Sequence, residues 1–230
     1  MILIKIENQI KTQIYKKVNK VQRMKIIMKL IKFFKMISFG ETCFDRIKIL
    51  GAILFNSKFK IIIKNKIGRF YCNNRYDFWS YNYEGKDNVK EIILQNLTEG
   101  NIFLDVGANI GRWSFFASKL VKEKGRIYAF EPEKRNLKNF ETNIVFNGTK
   151  NIMLIKMACA EKTGEAVLNI SKNSGEHSLG QTIDPSKIIS RIKIPTTSID
   201  DFIKKEKIKK VKLIKIDVEG KEMGVLKGAI

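Results

Sequence analysis

Three apolar runs each end on acidic residues followed by turn chemistry, and these endings carry the reactive side chains of the chain. The first is "FLDVGANIG", which places Asp105 inside the run and Gly107, Asn109 and Gly111 just beyond it. The second, "YAFEPE", closes on Glu131 and Pro132, and the third, "LIKIDVEG", carries Lys215, Asp217 and Glu219. Glycines at 107 and 111 let a backbone turn sharply and approach a ligand, and a helix starting near Gly111 points free N–H groups at the same place. A carboxylate ending a strand can receive a cation or accept two hydroxyl donors. Each residue also has an ordinary structural use: glycines make turns, and Glu219 can serve as first-turn charge on the following helix.

The spacing discriminates between ligands. Dinucleotide folds use G-x-G-x-x-G, whose later glycines admit a pyrophosphate and tight helix packing. Here Asn109 and Arg112 occupy those places, and Asp105 would repel a phosphate. S-adenosylmethionine has no phosphate and carries an ammonium and a sulfonium, so acidic and amide side chains suit it. Glu131 lies about 20 residues beyond Gly111, where a strand-end carboxylate meets ribose hydroxyls in such folds, and Pro132 stiffens the exit. Asp105, Gly107, Asn109, Gly111, Glu131 and Pro132 are therefore the candidate cofactor-binding residues.

An acceptor group that must lose a proton beside such a cofactor needs a positioned base or a metal. Period-two alternation sets Lys215 and Asp217 on one side of their strand. Asp217 is the first candidate for base or polar anchor, Glu219 the second, with Lys215 beside them. His177, the single histidine, sits in the loop "NSGEHSLG" and is an alternative base; a lone loop histidine is more often solvated. No cluster has metal-ligand spacing, so no metal is expected.

The elements that must hold these residues follow a strand–helix rhythm. Strands are expected at Ile102–Val106, Arg126–Phe130, Ile152–Met157 and Val211–Val218. Helices are expected at Arg112–Lys122 and Arg135–Phe146, the latter stopped by Asn147-Gly148. Repeated βαβ units imply a mainly parallel sheet with helices on both faces. "EAVLNI" and "RIKIP" read as two strands around a loop, and Ser198 with Asp201 has capping-box spacing at a helix start. Asp87 reads as the cap of a helix that Gly100 ends. Ahead of it, the β-branched residues flanking Asn65-Lys66 suggest a hairpin, and "RYDFWSYNYEG" reads as core or a hairpin face that can also wall a substrate. The expected segments are a basic arm over 1–50, an accessory hairpin and aromatic segment over 51–86, and a core over 87–230.

Ile10, Ile14, Val18, Val21, Met24, Met28 and Ile31 recur at helical spacing among lysines, a basic amphipathic helix that "IKFFKMISF" extends to Phe39. It can pack on a domain or partner, lie on an anionic membrane surface or touch nucleic acid. The net charge of +21 points to an anionic partner. However, Lys and Ile are heavily used along the whole chain, as A/T-rich codons alone would produce. Three scattered cysteines, Cys43, Cys72 and Cys159, fit a reduced cytoplasmic compartment with possible attachment at the membrane periphery.

"FLDVGANIG", "AFEPE", "ETNIVFNG", "TTSIDDF" and "IKIDVEGKEMGVLKGA" resemble the FkbM-type S-adenosylmethionine-dependent methyltransferases from about Asp87 onward. The resemblance implies a Rossmann-like class I methyltransferase fold and O-methylation of a sugar, glycan or other small metabolite. In that family further strands follow "VLKGA", so the expected sheet stops after its fourth core strand with an open edge: either the sequence is a fragment, or a partner such as a second copy covers that edge. RNA methylation is the alternative raised by the charge, against which "DVEG" lacks the Asn/Asp-Pro-Pro-aromatic grip of amino-methylating enzymes. A non-catalytic cofactor-binding or membrane-associated module is the other.

Overall fold

The computed structural model describes residues 61–73, 75–82, 88–171, 177–179 and 185–230. The chain divides into Met1–Ser57 and Lys58–Ile230, and every described residue belongs to the second unit. The basic helix expected over residues 10–39 and the cap expected at Asp87 lie outside the described residues.

The hairpin forms at the expected place. Ile61–Lys64 (β1) and Arg69–Cys72 (β2) pair antiparallel, with Ile63 opposite Phe70. Its turn is set by Asn65, whose side-chain Oδ1 accepts the N–H groups of Ile67 and Gly68 at 2.8 and 3.1 Å, the local bonding that suits asparagine to turns.

The aromatic segment is not a hairpin face. Arg75–Asn82 is a helix (α1), because two of its rows, each one turn apart, have different destinations. Asp77 and Tyr81 form the inner row: Asp77 is buried and accepts from the Asn73 N–H and the Asn139 Nδ2, both at 2.7 Å. Tyr81 stacks on Phe70 with ring centroids 4.0 Å apart; its hydroxyl donates to the Ile110 carbonyl and accepts from Asn143 Nδ2 at 3.2 Å. Tertiary burial of this row overrides the strand preference of the aromatic residues. Asn88–Asn96 (α2) follows and ends before Gly100, because Asn101 Oδ1 accepts the Thr98 N–H at 2.9 Å and turns the chain there.

The main sheet is parallel. Ile102–Val106 (β3), Arg112–Val121 (α3), Arg126–Phe130 (β4), Lys134–Asn147 (α4) and Ile152–Ile155 (β5) alternate as expected, with Gly148 in the left-handed region closing α4. After the excursion below, Ile199–Lys205 (α5), Leu213–Ile216 (β9) and Glu222–Lys227 (α6) complete it. The strand order is β5-β4-β3-β9. Chain progress thus reverses between β3 and β9, and a ligand crevice is expected outside the strand ends there. Leu104 and Val106 pack with Phe202 and Val225 from α5 and α6 on one face. Phe115 of α3 meets Phe140 of α4 on the other, at 5.4 Å between centroids. This is the Rossmann-like α/β fold. β9 is shorter than expected because it pairs with β3 only over Phe103–Val106.

Between β5 and α5 the chain leaves the main sheet. Ala158–Cys159 (β6), Gly164–Ser171 (β7) and Ile188–Thr197 (β8) form a second sheet of order β6-β8-β7, in which β7 and β8 are antiparallel. Ser198 caps α5 by accepting the Asp201 N–H at 3.1 Å, as its spacing predicts.

Tyr81→Phe removes the donor to Ile110 and leaves that buried carbonyl unpaired, so it should lower stability by about 1–2 kcal/mol in urea unfolding. An unchanged midpoint and slope would show that α1 is not anchored this way.

Candidate functional site

A cleft of about 230 Å³ opens at the carboxyl ends of β3, β4 and β9. Of the candidate residues, Gly107, Asn109, Glu131, Pro132, His177, Lys215, Asp217 and Glu219 line it together. Asp105 and Gly111 are not in its wall.

Asp105 is turned into the fold. It is fully buried, accepts the Ser114 hydroxyl of α3 at 2.6 Å, and has the Lys215 ammonium 3.6 Å from Oδ1. The expectation that its carboxylate meets a cationic ligand is corrected: the cation it meets is the chain's own Lys215, its direct neighbour in the β3–β9 ladder. Gly111 is also structural. It has φ of 89°, and a Cβ there would lie 2.2 Å from the Phe140 ring, so its bareness serves helix packing. Gly107 does line the cleft, but a Cβ on it would come within 1.9 Å of the Asp217 carbonyl. Its bareness first admits the end of β9.

The turn after β3 is held by β4. Gly107 and Ala108 donate their N–H groups to the Phe130 carbonyl at 3.1 and 2.9 Å. Asn109 sits in the left-handed region at φ 54° and donates its N–H to Glu131 Oε2 at 2.9 Å. Glu131 Oε1 accepts the Glu133 N–H at 2.9 Å and Asn136 Nδ2 at 3.3 Å. Burial pushes the Glu131 carboxyl up to about 7, against the pull of these donors and with the Glu133 carboxylate adding to the rise.

At the opposite wall, the Lys215 ammonium donates to the Gly107 carbonyl at 3.1 Å and lies 3.2 Å from Asp217 Oδ2. The Asp217 side chain is 61% exposed, so this carboxylate is anchored at one oxygen and open to solvent. Glu219 is exposed at φ 53°, and its carbonyl accepts the Ser178 hydroxyl at 3.1 Å. The carboxylate that closes the turn before α6 is Glu222, whose Oε1 accepts the N–H groups of Val218 and Gly220 at 3.1 and 3.2 Å.

His177 lines the cleft, but its Nδ1 accepts the Ser171 N–H at 3.1 Å. The neutral ring then carries its proton on Nε2, which makes it a donor and not the base considered for it. Tyr76 and Ser80 line the cleft from the aromatic segment read as able to wall a substrate, and Arg112 and Trp113, which the alternation argument missed, line it as well. Tyr76 and Ser80 form the outer row of α1, and the Arg112 guanidinium lies 4.3 Å over the Trp113 ring. Helical spacing within "RYDFWSYN" is the signal that singles out Tyr76 and Ser80. Burial, followed by the carboxylates of Asp217, Glu219, Asp77 and Glu131, pushes the Tyr76 phenol up to about 12.

An open parallel sheet with a carboxylate-rimmed cleft at its switch point is the arrangement in which α/β folds hold their ligands. The methyltransferase FkbM domain matches residues 105–230, more than half of the sequence, and the chain belongs to that family. Hexuronic acid methyltransferase AglP of Haloferax volcanii is 24% identical over 163 residues, which cover 70% of this chain and 63% of that protein. The chain thus spans less than two thirds of that relative's length. Methyltransferase FkbM from Methylobacillus flagellatus KT aligns with a TM-score of 0.39 and 16% identity, over 90% of this chain and 45% of its own. A SAM-dependent methyltransferase from Aquifex aeolicus aligns at 0.29 and 31% identity, over 32% and 39% of the two chains. Among the described residues no helix is long and apolar enough to cross a membrane.

Because the folded-state Glu131 value is raised from 4.5 to about 7, the native state holds a proton that the unfolded chain releases earlier. Wild-type stability should therefore fall, relative to Glu131→Gln, as pH rises from 4.5 to above 7. Melting curves of the two proteins that stay parallel across this window would refute the burial assigned to Glu131.

Proposed function

We propose that this chain binds S-adenosylmethionine and methylates a hydroxyl of a sugar or glycan. The observation that carries the reading is the convergence, on one cleft, of the buried Glu131, the Gly107–Asn109 turn and the Lys215–Asp217 pair. The cleft chemistry fits that cofactor better than a dinucleotide. Three carboxylates, Glu131, Asp217 and Glu219, line it, and they would repel a pyrophosphate while tolerating an ammonium and a sulfonium. Glu131 accepts from two backbone N–H groups and an amide, which aims the carboxylate while leaving acceptor capacity for ribose hydroxyls. The FkbM family match supports the cofactor, and the hexuronic acid methyltransferase relative supports a sugar acceptor.

When bound, S-adenosylmethionine supplies an electrophilic methyl group on sulfur. The chain's own contribution is placement, which for two aligned reactants is worth roughly 7–11 kcal/mol. Asp217 accepts the proton of the acceptor hydroxyl as the oxygen is methylated. Lys215 keeps Asp217 in place, since its ammonium is itself fixed by the Gly107 carbonyl and Asp105. Glu219, at the rim, binds acceptor hydroxyls. His177 donates from Nε2.

Calorimetry with S-adenosylmethionine should find that Glu131→Ala weakens binding more than Glu219→Ala. The reverse order would remove these roles. With methyl glucopyranoside as acceptor, Asp217→Asn should retain cofactor binding while losing about 10²–10⁴-fold in turnover; a loss of less than tenfold would show that the base lies elsewhere. Cofactor affinity of the wild type should rise with pH through about 7 as Glu131 ionises, and a pH-independent affinity would argue against a carboxylate-held ribose.

A further inference from the structure

We propose that Tyr76 and Ser80, the outer row of α1, form the wall that receives the ring of a hydroxyl-rich sugar acceptor, so that acceptor recognition is carried by a helix outside the segment that defines the family. This rests on the methyltransferase reading above and assigns the acceptor side of the same cleft. The family match begins at residue 105, whereas α1 spans Arg75–Asn82.

Geometry separates the two rows of this helix. Asp77 and Tyr81 are buried and bonded to α4, to Ile110 and to Asn73, two residues before the helix. They fix α1 without help from its outer row. Tyr76 and Ser80, one turn apart, line the cleft instead. Tyr76 retains 39% of its surface exposed, and its hydroxyl is 3.4 Å from Asn109 Nδ2. It therefore stands between the cofactor turn and the Asp217–Glu219 rim.

The chemistry of that position selects the ligand class. A phenol ring offers a flat apolar face and a polar tip, a combination that suits a pyranose, which has apolar C–H faces and an equatorial belt of hydroxyls. The phenol remains protonated throughout the physiological range and is a donor to ring or hydroxyl oxygens. Ser80 donates or accepts beside it. The carboxylates of Asp217 and Glu219 on the facing wall accept from sugar hydroxyls. The same carboxylates oppose a phosphodiester, which disfavours a nucleic-acid backbone in this position.

The test uses the full chain with S-adenosylmethionine present. Saturation-transfer NMR titrations with methyl glucopyranoside and with glucuronic acid give sugar affinity, calorimetry gives cofactor affinity, and thermal melting reports folding. Tyr76→Ala should weaken sugar binding roughly three- to tenfold, Tyr76→Phe and Ser80→Ala by smaller factors, with cofactor affinity and melting temperature at wild-type values. Sugar affinities unchanged in all three variants would overturn the inference. So would a loss of cofactor binding in Tyr76→Ala that equals the loss of sugar binding, because α1 would then serve the cofactor side. Wild-type protein that binds S-adenosylmethionine and neither sugar would refute the sugar wall alone. Wild-type protein that binds no S-adenosylmethionine would instead remove the methyltransferase reading, and the acceptor wall with it.

Discussion

The site depends on one ammonium group. Asp105 is a fully buried carboxylate in the middle of a parallel sheet, a placement that costs several kcal/mol unless a cation and donors compensate it. Ser114 supplies the donor and Lys215 the cation. The compensation requires the ladder register that sets Asp105 opposite Lys215. A shift of one residue would turn Lys215 to the other face and leave the carboxylate unpaired. Lys215 then reaches two further acceptors, the Gly107 carbonyl and Asp217. The turn after β3 and the acidic group at the end of β9 are thus held by one side chain.

Gly107 makes the same connection from the backbone. The Asp217 N–H donates to the Val106 carbonyl at 3.1 Å, and the Asp217 carbonyl occupies the space that a Cβ at 107 would need. The two halves of the cleft are pressed together at the strand ends. Their separation is set by main-chain contact more than by flexible side chains, the kind of support that placing two reactants requires. The accessory segment joins this arrangement through Tyr81, whose hydroxyl reaches the Ile110 carbonyl two residues before Arg112 opens α3.

The core was legible because its strands are buried on both faces and its helices carry clear stops. Ile102–Val106 and Arg126–Phe130 fall where the apolar runs place them, and Asn147-Gly148 ends α4. Strand-end carboxylates marked the cleft correctly at Glu131 and Asp217. The misreading of Asp105 has a physical cause: alternation tells which face a side chain takes, but not whether that face is a ligand site or a helix. Asp105 faces α3, and only the β3–β9 register reveals Lys215 as its partner. Of the two readings open for the aromatic segment, core and hairpin face, the buried inner row of α1 bears out the first. Tyr and Phe favour strands weakly, and the i, i+4 burial of Asp77 and Tyr81 outweighs that preference only once β2 and α4 are in place. His177 shows the limit most clearly, since its tautomer follows from a single N–H of Ser171 that no sequence pattern exposes.

Glu131 brings stability and recognition into opposition. A carboxylate serving only the fold would be more favourable with its charge fully solvated or paired, yet Glu131 is 5% exposed and the Glu133 carboxylate that acts on it is of the same sign. Its three donors are two backbone N–H groups and an amide, enough to aim the group and too few to offset its burial. A carboxyl held near neutrality by desolvation is an incomplete site, and hydroxyl donors from a ligand would complete it. Asn109 belongs to the same arrangement: asparagine takes the left-handed region more readily than most non-glycine residues, and from there its N–H donates to Glu131 Oε2. The burial of Glu131 is thus opposed on the protein side by main-chain and amide donors alone, in the wall of the cleft.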